Sequence, residues 1–264
     1  MTPSLGHCTQ RCFFCWRVTP ENLGVDWEQS RVIKFPDMPE DIVKGCISSH
    51  KQALSGFGGN VKVDKKRLDE SLNPVHVAIS LEGEPTLYPY LSELIEEFII
   101  SGFKSIFVVT NGTNPKTLSS LECEPSQLYV SVCAPDEETY RKTCRPLKKD
   151  GWTKHLETLE LLNSFTCPTV LRHTLTPGFN MKNPEKYAKL AHLSNATYLE
   201  PKGAMSVGFA RKRFGYNEMA WHSDILKFSE SLREASGYAI IDEQKASNIV
   251  LLSRLKRPIR LYAD

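Results

Sequence analysis

Three cysteines near the N-terminus are the residues whose type and spacing point most directly to chemistry. Cys8, Cys12 and Cys15 form a C-x3-C-x2-C pattern in a polar segment. Three thiolates this close can ligate three irons of a cubane and leave the fourth iron open to a small molecule. A structural zinc site would need a fourth Cys or His at short spacing, and His7, adjacent to Cys8, is poorly placed to supply it. The spacing therefore predicts a [4Fe-4S] cluster with one open iron.

Polar motifs follow three of the apolar runs that are typical of strands. Gly83 and Glu84 come after the first run, Asn111 follows the second, and Ser131 lies at the end of the third. Parallel strands collect ligands at their carboxyl ends, so we expect these side chains to lie along one edge of a sheet. Taken alone, Gly83-Glu84-Pro85 is more typical of a turn that leads into a helix.

The elements that must position these residues alternate between strand and helix. From about residue 75, short β-branched runs alternate with amphipathic stretches, which is typical of the βα units of a parallel sheet. With a first strand ending at 4–7, about six units are expected, fewer than the eight of a closed barrel. The predicted fold is α/β: a partial (β/α)6 barrel over residues 1–215, with a short C-terminal α/β extension over 216–264 packed on it. The predicted strands of the core are 75–81, 105–110, 128–132, 170–175 and 196–199.

Composition narrows the class of protein. In 264 residues, 33 Lys and Arg stand against 31 Asp and Glu, so any contact with nucleic acid must come from local clusters. No apolar run approaches the length of a membrane span, and the N-terminus lacks the pattern of a signal peptide. We therefore expect a cytoplasmic protein without membrane contact. Eight cysteines are too sparse for a disulfide scaffold, which favours metal binding by the first three.

The cysteine spacing is the signature of the radical S-adenosylmethionine (SAM) superfamily. Within that superfamily, the sequence resembles the archaeal 4-demethylwyosine synthases of tRNA wybutosine biosynthesis nearly from end to end. The segments that carry the resemblance include Cys15-Trp16-Arg17, the run from Gly83 to Pro89, and the run from Glu200 to Gly208. The first two together are more specific than the cysteines alone.

The resemblance implies an enzyme that is a radical SAM carbon–carbon lyase or synthase. Its cluster cleaves SAM to a deoxyadenosyl radical, which abstracts hydrogen from the methyl group of N1-methylguanosine at position 37 of phenylalanine tRNA. The methyl carbon then joins a two-carbon unit of pyruvate. Such a base must leave the anticodon stack to reach a barrel interior. A flavodoxin or ferredoxin as electron donor and a monomeric enzyme are also expected.

The resemblance also assigns contacts with SAM. Phe14 is expected against the adenine, Gly83 and Glu84 at the ammonium group, and Asn111 and Ser131 near the ribose. If the side chain of Arg172 faces inward, its planar guanidinium could donate two parallel N–H hydrogen bonds to the carboxylate of SAM. Pairing of Arg172 with Glu200 is the structural alternative.

Basic residues follow two of the predicted strand ends. Each cluster could be an ordinary solvated surface, but the resemblance favours binding of tRNA phosphates. Aromatic residues, Phe209, Phe214, Tyr216 and Trp221, interleave with the second cluster and could stack on bases, although packing of a helix in the core would also explain Trp221. The residues predicted to bind RNA are Arg145, Lys148, Lys202, Arg211, Lys212 and Arg213.

The sequence departs from the family at two points. Family members carry an N-terminal segment with three cysteines for a second [4Fe-4S] cluster and a lysine proposed to engage pyruvate, and the ligands of that cluster are not found in this sequence. We expect that the sequence begins where this segment would join the core. Cys133 stands where the family commonly has aspartate. Lys202 is a candidate to replace the missing amine or to bind a carboxylate.

Two other functions compete. Another radical SAM enzyme, such as a glycyl-radical activase, would share the cysteines and the turn at Gly83, but the segments Cys15-Trp16-Arg17 and Glu200 to Gly208 argue against it. A non-catalytic, metal-stabilised RNA-binding protein would keep the basic clusters but would have no need of Glu84 or of an open iron.

Overall fold

A single seven-stranded sheet organises the chain. The computed structural model describes residues 1–24 and 26–262. The sheet order is β1-β2-β3-β4-β5-β7-β6, with β1 to β5 parallel and β7 and β6 antiparallel. The strands are β1 His76–Ile79, β2 Ser105–Thr110, β3 Gln127–Ser131, β4 Thr169–Leu175, β5 Tyr198–Gly203, β6 Ala239–Gln244 and β7 Ile249–Ser253.

Helices cover the sheet through apolar faces. The third helix shows the pattern, because Leu91, Leu94, Ile95 and Phe98 recur at helical spacing and are each at most 1% exposed. In the described residues, no helix is long and apolar enough to cross a membrane. The helices are α1 Pro39–Ala53, α2 Lys65–Ser71, α3 Leu91–Ile100, α4 Pro115–Ser119, α5 Glu137–Thr143, α6 Gly151–Leu161, α7 Pro184–Ser194 and α8 His222–Ser236.

The partial barrel predicted from the sequence is confirmed, with a correction at its N-terminus. Residues 4–7 form a turn, in which the amide of His7 donates to the carbonyl oxygen of Ser4, and no strand ends there. Met1 instead bonds alongside β1: its amino group donates to the carbonyl oxygen of Ala78 and its carbonyl oxygen accepts from the amide of Ser80. The described part of the sheet thus has five parallel strands rather than six.

The C-terminal residues extend the same sheet. Strand β7 pairs with β5, and α8 buries Ile225, Phe228 and Leu232. Trp221, which precedes α8, is 42% exposed, so the alternative that assigned it to the core is wrong. The boundary at residue 215 stays a prediction.

Two buried histidines should make folding stability sensitive to acid. Burial lowers the pKa of His155 and His173 to about 4, below the roughly 6.5 expected in the unfolded chain. Between these values the unfolded state binds more protons, so stability must fall as the pH falls. We expect the two histidines to remove about 2 kcal/mol of unfolding free energy between about pH 6 and about pH 5. Urea unfolding across this range measures the loss, and His155→Gln should roughly halve it. An unchanged pH dependence in that variant would contradict the assignment.

Candidate cluster and cofactor site

The cysteine loop is fixed on one side by the segment that follows α5. The amide of Arg11 donates to the carbonyl oxygen of Cys144 at 3.0 Å, and the amide of Phe13 donates to that of Thr143 at 3.0 Å. Leu147 donates to the carbonyl oxygen of Thr9. These bonds satisfy backbone groups that a loop would otherwise expose and hold residues 9–13 in one conformation.

A segment from much later in the chain holds the other side of the loop. The amide of Phe209 donates to the carbonyl oxygen of Trp16 at 2.9 Å. The guanidinium of Arg213 donates to the carbonyl oxygens of Phe13, at 2.7 Å, and Cys15. Arg213 is therefore a clamp on the cysteine loop. Two of the five N–H donors of Arg213 are thus used within the protein, and its contact with an RNA phosphate stays a prediction.

The clamp can be tested through the retention of iron. Charge-assisted hydrogen bonds are worth about 1.5–3 kcal/mol, so Arg213→Ala should release cluster iron to a chelator roughly tenfold or more faster than the parent protein. Lys212→Ala is the matched control, since Lys212 is exposed and lies over the ring of Phe209. Iron release at the parental rate from Arg213→Ala would show that the clamp does not hold the loop.

The loop lines a cavity of about 670 Å³ at the carboxyl ends of the parallel strands. Cys8, Cys12, Cys15 and Phe14 all lie on its wall, so the predicted ligands and the predicted adenine contact are brought together. No three His, Cys, Asp or Glu side chains converge in metal-binding geometry in residues 1–24 and 26–262.

The chemistry of the three thiols fits a [4Fe-4S] cluster. Burial raises the pKa of Cys8 and Cys15, and the charge of Cys12 raises both further. The pKa of Cys12 is also raised, first by its hydrogen bond with the thiol of Cys144 and then by burial. Crowded, buried thiolates need a cation to be stable, and soft thiolates favour iron–sulfur clusters or zinc. Three ligands suit a cluster that keeps one iron open.

The carboxylate of Glu84 is enclosed by its own chain. Its Oε1 accepts hydrogen bonds from the Thr86 hydroxyl at 2.6 Å and the Thr110 hydroxyl at 2.5 Å, and Oε2 accepts from the Asn111 amide at 2.7 Å. Glu84 is 1% exposed; burial raises its pKa, and these hydrogen bonds oppose the rise. The side chain ties the turn after β1 to the end of β2. Its contact with the ammonium group of SAM stays a prediction.

Asn111 and Ser131 both lie on the cavity wall. The Nδ2 of Asn111 donates to the Thr9 hydroxyl at 2.8 Å and to the Sγ of Cys8 at 3.8 Å. Asn111 thus joins the end of β2 to the cysteine loop. Contacts of these residues with a ribose remain predictions.

Arg172 lies on the cavity wall and also pairs with Glu200. Its Nε donates to Glu200 Oε1 at 2.6 Å, and its second guanidinium nitrogen donates to Oε2 at 3.3 Å. The alternative that paired these residues is thus observed, and it orients the guanidinium beside the cavity. Lys202, on the next strand, is half-buried on the same wall, and burial followed by the charge of Arg172 lowers its pKa.

Two charged residues of the cavity are not among the ligand contacts predicted from the sequence. Glu82 Oε1 and Arg17 Nε are buried and have no hydrogen-bond partner in the described residues, and both side chains line the cavity. The guanidinium of Arg17 also stacks on the ring of Trp16 at 3.7 Å. A ligand that carries both a positive and a negative group could satisfy both atoms, with its cation at the carboxylate oxygen of Glu82 and its anion at the guanidinium nitrogen of Arg17. Glu82 could have been found as the first charged residue after β1.

Besides Arg213, the residues predicted to bind RNA fall into three places. Arg145 and Lys148 are exposed on the segment that borders the cysteine loop on one side, and Arg211 and Lys212 are exposed on the segment that borders the other side. Lys202 lies on the wall of the cavity rather than on the outer surface. The aromatic residues divide as well, because Phe214 is 3% exposed whereas Tyr216 is 65% exposed.

Comparison with known proteins agrees with this geometry. Residues 3–191 match the radical SAM superfamily, and residues 193–254 match the family described as wyosine base formation. The tRNA 4-demethylwyosine synthase of Pyrococcus horikoshii is 45% identical over 96% of this chain and 74% of its own length. The corresponding enzyme of Methanocaldococcus jannaschii is 39% identical over 98% of this chain and 81% of its own length.

Solved structures give the same result at the level of the fold. The structure of TYW1 with a lysine-pyruvate adduct superposes with a TM-score of 0.84 at 37% identity, covering 99% of this chain and 81% of that one. The crystal structure of archaeal TYW1 superposes with a TM-score of 0.73 at 36% identity, over 87% of this chain and 75% of that one. The chain belongs to the tRNA 4-demethylwyosine synthase family of radical SAM enzymes.

Proposed function

We propose that this protein condenses N1-methylguanosine at position 37 of phenylalanine tRNA with a two-carbon unit of pyruvate to form 4-demethylwyosine. The observation that carries the proposal is a single cavity lined by the cysteine loop, by Lys202 and by Arg172, with exposed basic segments on both sides of the loop. No observation favours a glycyl-radical activase or a non-catalytic RNA-binding protein over this function.

The three cysteines would hold a [4Fe-4S] cluster with SAM at its open iron, and this group supplies the reducing electron that generates the radical. The protein's part is to orient and enclose the reactants. Arg213 and the segment after α5 hold the loop rigid, so the ligands keep their positions. Phe14 offers a ring to the adenine, and Glu84 keeps the adjoining turn in place.

The methionine end of SAM carries an ammonium group and a carboxylate, and this cavity offers partners for both. The unpartnered Oε1 of Glu82 suits the ammonium group, alongside the predicted contact with Glu84. The guanidinium groups of Arg17 and Arg172 suit the carboxylate. Binding by both signs of charge would orient the sulfonium within a cavity whose walls exclude much of the water.

The tRNA would approach across the two basic segments beside the cysteine loop. Arg145 and Lys148 on one side and Arg211 and Lys212 on the other can neutralise phosphates, while the base at position 37 enters the cavity. Exposed rings at Tyr216 and Trp221, whose centroids are 5.1 Å apart, can stack on a neighbouring base.

Lys202 is proposed to engage pyruvate from the cavity wall. A lowered pKa leaves its amine more often unprotonated, which suits attack on a carbonyl. Lys202→Ala should retain SAM cleavage but lower the yield of the tricyclic base by about tenfold or more. Lys202→Arg separates the roles: it keeps a cation for the carboxylate but cannot form an imine, so it should stay defective. Full product formation by both variants would remove Lys202 from the reaction.

The decisive experiment is mass analysis of methylguanosine-containing phenylalanine tRNA after anaerobic incubation with the reconstituted protein, SAM, pyruvate and a reductant. We expect a mass gain at position 37 equal to two carbon atoms, dependent on SAM and on pyruvate. The same tRNA lacking the methyl group is the control. An unchanged tRNA in a protein that also carries the N-terminal cluster segment of the family, with 5'-deoxyadenosine still released from SAM, would refute the wyosine function while leaving the radical chemistry intact.

The proposed reaction also implies an electron donor, a cellular location and an oligomeric state for the protein. The cluster needs a low-potential electron donor, for which a flavodoxin or ferredoxin is proposed. The tRNA substrate favours a cytoplasmic location, and a monomer is proposed. A second [4Fe-4S] cluster, as in other members of the family, would require ligands beyond those in this sequence.

A further inference from the structure

Three exposed apolar side chains stand where the cavity opens to solvent. Leu81 is 57% exposed, Trp16 45% and Met205 43%, and each of them also lines the cavity. A side chain that meets both conditions lies at the mouth. The three belong to the turn after β1, to the cysteine loop and to the segment after β5. The mouth therefore has an apolar rim that three separate parts of the chain build together.

Leu81 takes its place in this rim with an unfavourable backbone conformation. Its φ is +92°, a region that residues with a Cβ adopt rarely and at a penalty. On one side, the Ser80 amide donates to the carbonyl oxygen of Met1 at 2.8 Å. On the other, the Thr2 hydroxyl donates to the carbonyl oxygen of Glu82 at 2.5 Å. The N-terminal segment thus holds Leu81 in a conformation that would suit glycine better.

Packing does not explain the penalty at Leu81. A buried leucine would offset it by removing apolar surface from water, but more than half of this side chain stays exposed. A single exposed leucine is common on protein surfaces and carries no message by itself. An exposed leucine that is held at a positive φ, at the mouth of a deep cavity, suggests a function instead. We therefore looked for a partner that this cavity admits.

The surroundings of the rim suit the unpaired bases of an RNA strand. The guanidinium of Arg17 stacks on the ring of Trp16 at 3.7 Å, and both aromatic rings and guanidinium planes stack on bases. The carbonyl oxygen of Trp16 accepts from the Phe209 amide, and the exposed Arg211 and Lys212 follow in the same segment. Phosphates bound by that segment would bring the bases of the same strand to the rim.

We propose that Leu81 is a wedge that enters the anticodon stack of the tRNA and fills the space left by the base that moves into the cavity. The inference rests on the proposed function, because it takes an RNA base as the occupant of the cavity. Apolar side chains, leucine among them, act as wedges between bases in other nucleic-acid complexes. Removing a base from its stack costs free energy, and a side chain that fills the gap lowers that cost. The held backbone keeps the wedge directed at the stack.

The test uses phenylalanine tRNA with 2-aminopurine at position 37, a base whose fluorescence rises when it leaves the stack. The protein is the full chain, reconstituted with its cluster and supplied with SAM. Binding of the parent protein should raise the fluorescence. Leu81→Gly suits the positive φ but removes the wedge, so the ratio of extruded to stacked base at saturation should fall about tenfold.

Two further variants of Leu81 and one control sharpen the result. Leu81→Asn tolerates a positive φ but is polar, so it should share the loss. Leu81→Met keeps an apolar side chain that can enter a stack and should retain most of the rise. Ile100→Ala is the matched control, because Ile100 is an aliphatic residue that is 72% exposed at the end of α3, away from the cavity mouth. It should give the parental rise.

The outcomes separate this inference from the function on which it rests. A parental rise in either Leu81→Gly or Leu81→Asn would overturn the inference and leave the proposed function standing. Release of 5'-deoxyadenosine without tRNA reports on SAM alone, and an equal fall there would assign Leu81 to the SAM turn and overturn the inference as well. A parent protein that binds the tRNA without any rise would overturn the proposed function, and the inference with it.

Discussion

Cys15→Ala is expected to abolish both the iron–sulfur cluster and the cleavage of SAM. Cys15 is one of three thiols on the cavity wall, and removal of a ligand leaves two thiolates for a group that needs three to keep a single open iron. Iron and sulfide content, visible absorbance and release of 5'-deoxyadenosine measure the effect. We expect all of them at background after anaerobic reconstitution.

Cys167→Ala serves as control for loss of a cysteine as such, and it should reconstitute and cleave SAM like the parent protein. Cys8→Ala should repeat the result of Cys15→Ala, because both thiols line the same cavity. A Cys15→Ala protein that holds a full cluster and releases 5'-deoxyadenosine would exclude Cys15 as a ligand. The cluster would then have to be sought at other cysteines.

Gly83→Ala should cost the protein about 3 kcal/mol or more of unfolding free energy and impair cluster assembly. Gly83 has a φ of +76°, and a Cβ there would lie 2.0 Å from the carbonyl oxygen of Ser4 and 2.5 Å from that of His7. Both contacts are backbone atoms of the turn that precedes Cys8, so relief requires the cysteine loop to move. A fall in the melting temperature of at least about 6 °C and a lower iron content are expected.

Gly178→Ala separates the two causes of the expected loss at Gly83, the positive φ and the steric clash of a Cβ. Gly178 also has a φ of +76°, but a Cβ there would meet no atom within 4 Å. This control therefore carries the conformational penalty of about 1 kcal/mol without the steric clash. Equal losses of stability in the two variants would mean that the turn yields easily and that Gly83 does not fix the loop.

Much of the fold follows from local patterns. The run 105–110 coincides with β2, and the apolar spacing from Leu91 to Phe98 predicts α3, because period and composition are properties of short segments. The prediction that a strand ends at residues 4–7 is wrong, because this segment forms a turn. It packs against Gly83, a contact between distant segments that no local pattern reveals.

In the candidate site, too, local patterns could be predicted from the sequence and contacts between distant segments could not. The spacing of the three cysteines predicts that they bind one cluster. All three line the same cavity, as that prediction requires. Arg213 belongs to a basic run in the sequence, yet two of its N–H groups donate to the carbonyl oxygens of Phe13 and Cys15. Cys144 carries no motif, and its position beside Cys12 depends on how the segment after α5 meets the loop. Roles that rest on long-range contacts could not be predicted from the sequence.

The clamp by Arg213 has a consequence for the order in which the protein is made. Phe13 and Arg213 are 200 residues apart in sequence, so the cysteine loop leaves the ribosome long before its partner does. Until then, the nascent cysteine loop carries three thiols with neither its clamp nor the segment after α5. Iron delivered during synthesis would meet a mobile loop that is open to oxidation and to the wrong metal. Cluster insertion is therefore expected to follow translation of the core, as a late step in maturation.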